Sequence, residues 1–141
     1  MNIAQLLARS ATVFPTRPAV YLGEHMLLDY RTLANRAACI AGYLRDVLGL
    51  VPGERVAAFM TNCPEYLEVL YGIWWAGLVA VPVNAKLHPR EMAYILENAA
   101  VSCLIVSADM APAALPFIDG IANVNRDAPC ITHRDPASRA G

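Results

Sequence analysis

Charged residues are scarce in this sequence. Asp, Glu, Lys and Arg make up 16% of the 141 residues, whereas about 25% is typical of globular domains. The formal net charge is −1 and the basic residues are scattered. The chain therefore lacks the basic stripe that binding to a phosphate backbone requires. We expect no nucleic-acid partner.

Glycine-rich phosphate-binding loops are also missing. Such loops need glycine because their backbone N–H groups must close on the phosphates. The eight glycines form neither G-x-G-x-x-G nor G-x-x-x-x-G-K-[ST]. Gly72 and Gly77 have one Walker spacing, but Leu78 and Val79 stand where Lys and Ser or Thr are required. The match is accidental, and we assign no cofactor-binding residue.

No catalytic or metal-binding constellation is recognisable. No serine lies in a G-x-S-x-G elbow, and His25, His88 and His133 are far apart along the chain. We interpret these histidines as surface or capping residues. Cys130 and His133 have metal-ligand spacing without a second pair, so a plain loop is the preferred interpretation over a metal site. We assign no catalytic residue and no metal ligand.

Long apolar runs and targeting signals are absent as well. The longest uncharged stretch, residues 69–85, contains two glycines and a proline. It falls short of the about 20 apolar residues of a membrane-spanning helix, and predicts a buried helix followed by a buried strand. The first eight residues have no basic start of a signal peptide, and the four cysteines form no C-x-x-C pair. We expect a soluble, cytoplasmic protein with no transmembrane segment.

What the sequence does contain is an alternation of helix and strand patterns. Residues 2–14 predict a helix that buries Ile3, Leu6, Leu7, Val13 and Phe14, and residues 19–22 and 26–28 predict a small hairpin. Strands are predicted at 55–60, 78–83 and 101–106, and helices at 64–76 and from residue 88. This order predicts an α/β fold, with βαβ units forming a mostly parallel sheet flanked by helices.

The helix after Asp29 has the clearest pattern. Asp29 is the predicted N-cap and Gly49 the predicted stop. One face of this helix is predicted to be buried, and it comprises Leu33, Ala37, Ile40, Ala41, Leu44 and Val47.

The helix over residues 64–76 is apolar almost all round, which predicts burial on more than one side. We expect Asn62 or Cys63 to cap it and Pro64 to be its first residue. Glu65 and Glu68 are interpreted as its solvated patch, with a working carboxylate pair as the alternative. The aromatic residues Tyr66, Tyr71, Trp74 and Trp75 are interpreted as core, with a ligand pocket as the alternative.

The pattern weakens after residue 109. Residues 110–120 are compatible with a helix interrupted by Pro112 and Pro116, and residues 121–124 with a short strand. We expect residues 1–124 to form an incomplete N-terminal α/β subdomain and residues 125–141 a flexible tail.

Six short motifs resemble, in order and spacing, the N-terminal region of the AMP-forming adenylating enzymes, which include acyl-CoA synthetases and firefly luciferase. Asp29 and Thr32 depart from the pattern, since that family usually has Thr and Glu there. The motifs are FPTRPAV (14–20), LDYRTL (28–33), LVPGERVA (50–57), MTNCPEY (60–66), WAGLVAVPVN (75–84) and LHPREM (87–92).

The resemblance implies the front part of a fatty-acid–CoA ligase-like enzyme. Such enzymes adenylate a carboxylic acid with ATP, in the presence of Mg²⁺, and transfer the acyl group to CoA. The family's Ser/Thr/Gly-rich phosphate loop, metal-binding acid and C-terminal catalytic lysine have no counterpart here, so none is placed on a residue. We expect this chain alone to be inactive, to bind none of these ligands tightly, and to pack on the rest of its own polypeptide.

The apolar composition supports a piece of something larger. Hydrophobic residues make up 57% of the chain, against about 45–50% in average domains. An isolated piece would expose apolar surface and tend to self-associate. The alternative is a free-standing α/β module, derived from the ligase fold, that binds a partner or dimerises without catalysis.

Overall fold

Helices cover both faces of a small parallel sheet, and a helix and a β-hairpin precede it. The computed structural model describes residues 1–121 and 130–131. The elements are α1 (Ala4–Val13), β1 (Pro18–Leu22), β2 (His25–Asp29), α2 (Tyr30–Gly42) with a π-helical turn (Tyr43–Val47), β3 (Arg55–Phe59), α3 (Glu65–Trp75), β4 (Val79–Val83), α4 (Pro89–Asn98), β5 (Cys103–Ser107), α5 (Ala111–Ala114) with a 3₁₀ turn (Leu115–Phe117), and β6 (Cys130–Ile131).

The sheet confirms the predicted α/β class. Its strand order is β4-β3-β5-β6, and every pair is parallel. The chain runs outward from β3 to β4 and then returns past β3 to β5. Because crossover connections share one hand, this reversal puts α3 and α4 on opposite faces of the sheet.

Two apolar clusters fill the space on either side of the sheet. On one face Val69 and Ile73 of α3 pack with sheet residues such as Ile105. On the other face Met92 and Leu96 of α4, both fully buried, pack with strands β3 and β5 and with α5. The alternation of side chains along each strand therefore supplies both cores, as expected of a parallel sheet covered on both faces.

A third cluster joins the N-terminal elements to the rest. The antiparallel hairpin β1–β2 packs with α1 and α2 through Leu7, Val20, Leu28 and Leu33. The predicted cap at Asp29 is confirmed, since its carboxylate accepts a hydrogen bond from the Thr32 N–H at 2.8 Å. That hydrogen bond lowers the pKa of Asp29.

The predicted buried face of α1 is wrong for most of its members. Leu7 is buried, but Ile3, Leu6, Val13 and Phe14 are 44–56% exposed. The helix packs on α2 and α3, and its buried residues are Ala4 and Leu7. Several large apolar side chains of α1 consequently stay on the surface.

Val47 is also exposed, by 66%, although the pattern predicted that it would be buried. The reason is the π-helical turn, in which the Leu48 N–H donates to the Tyr43 carbonyl five residues earlier. A wider turn rotates the following side chains away from the face of an ideal helix. The predicted stop at Gly49 is confirmed, with a φ of +68°.

Helix α3 is buried on more than one side, as predicted, because it contacts α1 and α2 as well as β3 and β4. Its start differs from the prediction. Glu65 is the first residue of the helix, one position later than predicted, and Pro64 at its N-cap makes no side-chain capping hydrogen bond. Pro64 already has helical backbone angles, and the Tyr66 N–H of the first turn donates toward the Cys63 thiol, which agrees with the predicted cap at Cys63 rather than at Asn62.

Strand β4 is not the buried strand that the sequence predicts. It lies at the edge of the sheet, and Val79 is 44% exposed while Val83 is buried. Hydrophobicity along residues 79–83 does not show which strands flank a strand, so the pattern could not distinguish an edge from a centre.

The C-terminal predictions are only partly covered. Helix α5 and its 3₁₀ turn accommodate Pro112 and Pro116 within residues 111–117. Cys130–Ile131 pairs with β5 inside the predicted tail. The predicted strand beyond Ile121 and the rest of the tail lie outside the described residues, and the boundary at residue 124 stays a prediction.

The start of α4 carries a complete capping box. The Nδ1 atom of His88 accepts a hydrogen bond from the Arg90 N–H at 3.1 Å, and the Glu91 carboxylate accepts one from the His88 N–H at 2.9 Å. The His88 ring also meets Phe117 edge-on, with 5.7 Å between centroids. The capping interpretation of His88 is confirmed.

We expect His88→Ala to lower the free energy of unfolding by about 1 kcal/mol, because the cap is lost. His88→Asn should lose much less, since Asn keeps an acceptor at the same position. Urea unfolding followed by circular dichroism measures both variants. Equal losses in the two would mean that the Phe117 contact, not the cap, stabilises this helix.

Candidate functional site

A pocket opens where strands β3 and β5 end. It is lined by Leu22 of the hairpin, by Thr61, Asn62, Cys63 and Pro64 between β3 and α3, and by Ala108 and Asp109 after β5. From β3 the chain leaves toward β4, whereas from β5 it leaves toward β6. The pocket thus lies at the carboxyl ends of the strands, at the point where the strand order reverses, which is where open α/β sheets bind ligands.

One hydrogen bond ties the two sides of this pocket together. The Thr61 N–H donates to the Ser107 Oγ at 3.3 Å, across the gap between the ends of β3 and β5. Ser107 is 2% exposed, so its hydroxyl meets the backbone of the loop rather than solvent. The pocket has a volume of about 520 Å³, within the range of about 300–1,000 Å³ that small-molecule sites occupy.

Apart from Asp109, the described residues that line the pocket are uncharged. Burial raises the pKa of the Cys63 thiol, although the backbone N–H of Tyr66 partly offsets this. Since the thiolate is the nucleophile, a raised pKa disfavours nucleophilic chemistry at Cys63. Asn62, Thr61 and Asp109 supply polar groups. The pocket can hold an uncharged or weakly polar group, but it has no activated nucleophile.

The residues present do not fit a nucleotide phosphate or a metal ion. Among the described residues, no Lys, Arg or His lines the pocket, and phosphates are bound by such cations or by glycine-rich loops. In the part of the chain that the structure describes, no group of three or more His, Cys, Asp or Glu is placed to hold a metal. Over the same residues, no helix is both long enough and apolar enough to cross a bilayer.

Neither His25 nor His88 lines this pocket. His25 is exposed on β2 and His88 caps α4. The prediction for Cys130 and His133 concerns side chains that lie outside the described part of the structure. Within residues 1–121 the three cysteines Cys39, Cys63 and Cys103 carry free thiols.

Three of the four aromatic residues of α3 pack against the core, as interpreted from the sequence, and Trp74 is half-buried. Tyr66 and Trp75 pack against the cluster between α3 and the sheet, and Tyr71 and Trp75 against the N-terminal cluster. Tyr71 and Trp74 meet edge-on with 5.4 Å between centroids. None of these four rings lines the pocket at the ends of β3 and β5.

The interpretation of Glu68 as part of a solvated patch is wrong. Glu68 is 8% exposed, and its Oε1 accepts a hydrogen bond from the Arg36 guanidinium of α2 at 2.9 Å. Burial raises the pKa of Glu68, while Arg36 lowers it. The carboxylate therefore serves as a bridge between two helices, not as one of a working pair with Glu65.

Sequence reasoning missed the polar pocket residues Thr61, Asn62 and Asp109. The available signal was their position, since all three lie within three residues of the end of a predicted strand in a parallel sheet. Short polar loops after buried strands are where such sheets place ligand contacts. Thr61 and Asn62 lie in the MTNCPEY motif, which carried the family resemblance but no site assignment, and none of the six motifs contains Asp109.

The fold and the pocket define a parallel α/β domain of the kind that binds ligands at the carboxyl edge of its sheet. The model of the family described as "AMP-binding enzyme" matches residues 7–139. The chain therefore belongs to the AMP-binding enzyme family, which confirms the resemblance of the six motifs.

Similar proteins with curated names are CoA ligases. A long-chain-fatty-acid–CoA ligase of Salmonella typhimurium is 34% identical over 111 residues, which are 78% of this chain and 19% of that protein. A crotonobetaine/carnitine–CoA ligase of Salmonella typhi is 41% identical over 78 residues, or 55% of this chain and 14% of that protein. This chain thus spans about a fifth or less of the length of these relatives.

A solved structure agrees in fold over nearly the whole chain. The fatty acyl CoA synthetase of Mycobacterium tuberculosis superposes with a TM-score of 0.77 at 30% identity, covering 98% of this chain and 28% of that one. This likeness confirms the predicted α/β architecture, which matches part of a CoA synthetase structure.

Proposed function

We propose that this chain supplies the N-terminal α/β part of an ATP-dependent carboxylate–CoA ligase, with fatty acids as the substrate class. The observation that carries the proposal is the family match over residues 7–139, together with relatives that are named as CoA ligases. In the proposed reaction the carboxylate attacks ATP and releases pyrophosphate. The thiol of CoA then displaces AMP to give the thioester.

The described residues fit a scaffold role in that reaction. The pocket at the sheet edge has no cation for phosphates and no reactive nucleophile. ATP, CoA and Mg²⁺ are accordingly proposed as ligands of the whole enzyme, which would act in the cytoplasm. The chain alone is proposed to be inactive, and its main partner is the remainder of its own polypeptide.

Exposed apolar side chains support both that partner and self-association in its absence. Leu6, Val13, Tyr21 and Met26 are each 50% or more exposed on α1 and the hairpin. Burying apolar surface is favourable by about 25 cal/mol per Å². Such side chains are thus expected to be covered, either by more of the same enzyme or by a second copy of this chain.

The test is a coupled assay of pyrophosphate release with ATP, Mg²⁺, CoA and a series of fatty acids. We expect no turnover from the 141-residue chain and fatty-acid-dependent turnover from the polypeptide encoded by its full reading frame. That frame should encode a Ser/Thr/Gly-rich loop ending in Pro-Lys-Gly after residue 141.

Either of two results would overturn the proposal. Turnover by the 141-residue chain would show that the catalytic groups lie within it. A stop codon directly after Gly141 would rule out ligase chemistry for the natural product and favour the free-standing binding or dimerisation module.

A further inference from the structure

The edge of the sheet at β4 is an apolar strand with an exposed border. Its sequence is Val-Ala-Val-Pro-Val, and within the described residues no strand pairs with its outer side. Short apolar strands at an open edge are templates for pairing with another chain. An edge of this composition needs some feature that prevents such pairing.

The hydrogen bonds of β4 show which backbone groups face outward. The Val79 N–H donates to the Glu54 carbonyl at 2.8 Å, so Val79 faces β3. In a strand the N–H and C=O of one residue point to the same side, and those of the next residue to the other. Val81 and Val83 therefore also face β3, in the register that pairs Val79 with Arg55.

Ala80 and Pro82 are consequently the two residues of β4 whose backbone faces outward. Pro82 has no N–H, so the outer edge offers two carbonyls but a single donor, at Ala80. A strand added there would leave its own carbonyl opposite Pro82 unpaired, and a buried unpaired carbonyl costs about 1–3 kcal/mol. Proline at this position costs the native ladder nothing, because β3 needs no donor from it.

We infer that Pro82 closes the β4 edge to the addition of a continuous, fully hydrogen-bonded strand. The inference is independent of ligase activity, since it rests on the register of β4 and the chemistry of proline. It also separates two kinds of self-association. Contacts through the apolar side chains of α1 and the hairpin remain open, whereas edge-to-edge pairing through β4 is blocked.

The test is Pro82→Ala in the full 141-residue chain, which restores the missing donor with little change in side-chain volume. We expect a several-fold rise in thioflavin T fluorescence and in light scattering at equal protein concentration, because thioflavin T reports stacked strands rather than side-chain contacts. The matched control is Pro116→Ala, which alters an exposed proline of the 3₁₀ turn away from the sheet and should behave like the unaltered chain.

A second variant moves the block along the same edge. Ala80→Pro added to Pro82→Ala should return both signals to the level of the unaltered chain, since position 80 also faces outward. Circular dichroism and thermal unfolding show whether each variant is folded. If the double variant is unfolded, Pro82→Lys replaces it, because a charge on the edge also opposes pairing. Unchanged thioflavin T fluorescence in folded Pro82→Ala, or an equal rise in Pro116→Ala, would overturn the inference.

Discussion

Replacing Gly72 with Ala is expected to destabilise the fold by about 2 kcal/mol, even though Ala normally favours a helix over Gly by about 1 kcal/mol. A Cβ at position 72 would lie 2.6 Å from Cγ2 and 2.7 Å from Cβ of Ile40, and 3.2 Å from the Ala37 carbonyl oxygen. The Cβ of Ile40 and the carbonyl oxygen of Ala37 cannot move away by rotation of a side chain. Helices α2 and α3 would have to separate, which would disturb the cluster around Ile73.

Gly42→Ala is the matched control, because Gly42 also lies in a helix but its added Cβ meets only the Asp46 carboxylate at 3.9 Å. This variant should be unchanged or more stable by up to about 1 kcal/mol. Thermal and urea unfolding of both variants give the comparison. If Gly72→Ala were as stable as Gly42→Ala, the close approach of α2 and α3 at Gly72 would be wrong.

Replacing Arg36 with Met is expected to destabilise the fold by about 1–2 kcal/mol at neutral pH. The substitution leaves the Glu68 carboxylate at 8% exposure without its guanidinium partner. Breaking a fully buried pair costs about 3–5 kcal/mol, but the Arg36 side chain is 42% exposed, so solvent reduces the effect.

The loss in Arg36→Met should shrink as the pH falls. The pKa of Glu68 in the fold is already above its ordinary value of 4.5, and removing Arg36 raises it further. A carboxyl group with a raised folded pKa contributes stability below its unfolded pKa and loses it as the pH rises through the folded pKa. The difference between Arg36→Met and the unaltered chain should therefore be smaller near about pH 4 than at pH 7.

The double variant Arg36→Met/Glu68→Gln isolates the charge. It keeps a hydrogen-bonding side chain at position 68 but has no ionisable group there, so it should recover much of the loss at pH 7 and show no extra dependence on pH. Unfolding curves at both pH values measure the coupling between the two residues. A loss in Arg36→Met that is equal at both pH values would mean that lost packing, not the unpaired carboxylate, causes it.

The sequence by itself determined the order and type of the elements over residues 1–107. Hydrophobic spacing located α2, α3 and α4, and turn residues such as Gly49 and Asp29 marked where helices begin and end, because these are local effects of backbone sterics and capping. The motifs identified the family for a similar reason, because each is a contiguous stretch that can be recognised without knowledge of the fold.

Only the tertiary structure decided which side chains are covered and by what. It placed Glu68 against Arg36, exposed Leu6 and Val47, made β4 an edge strand, and brought Thr61 beside Ser107 to form the pocket. Each of these contacts and exposures depends on residues that are distant in sequence. Hydrophobicity and helix periodicity do not show which distant residues will pack against a given side chain. Burial is a property of the packed neighbours, whereas periodicity is a property of the chain.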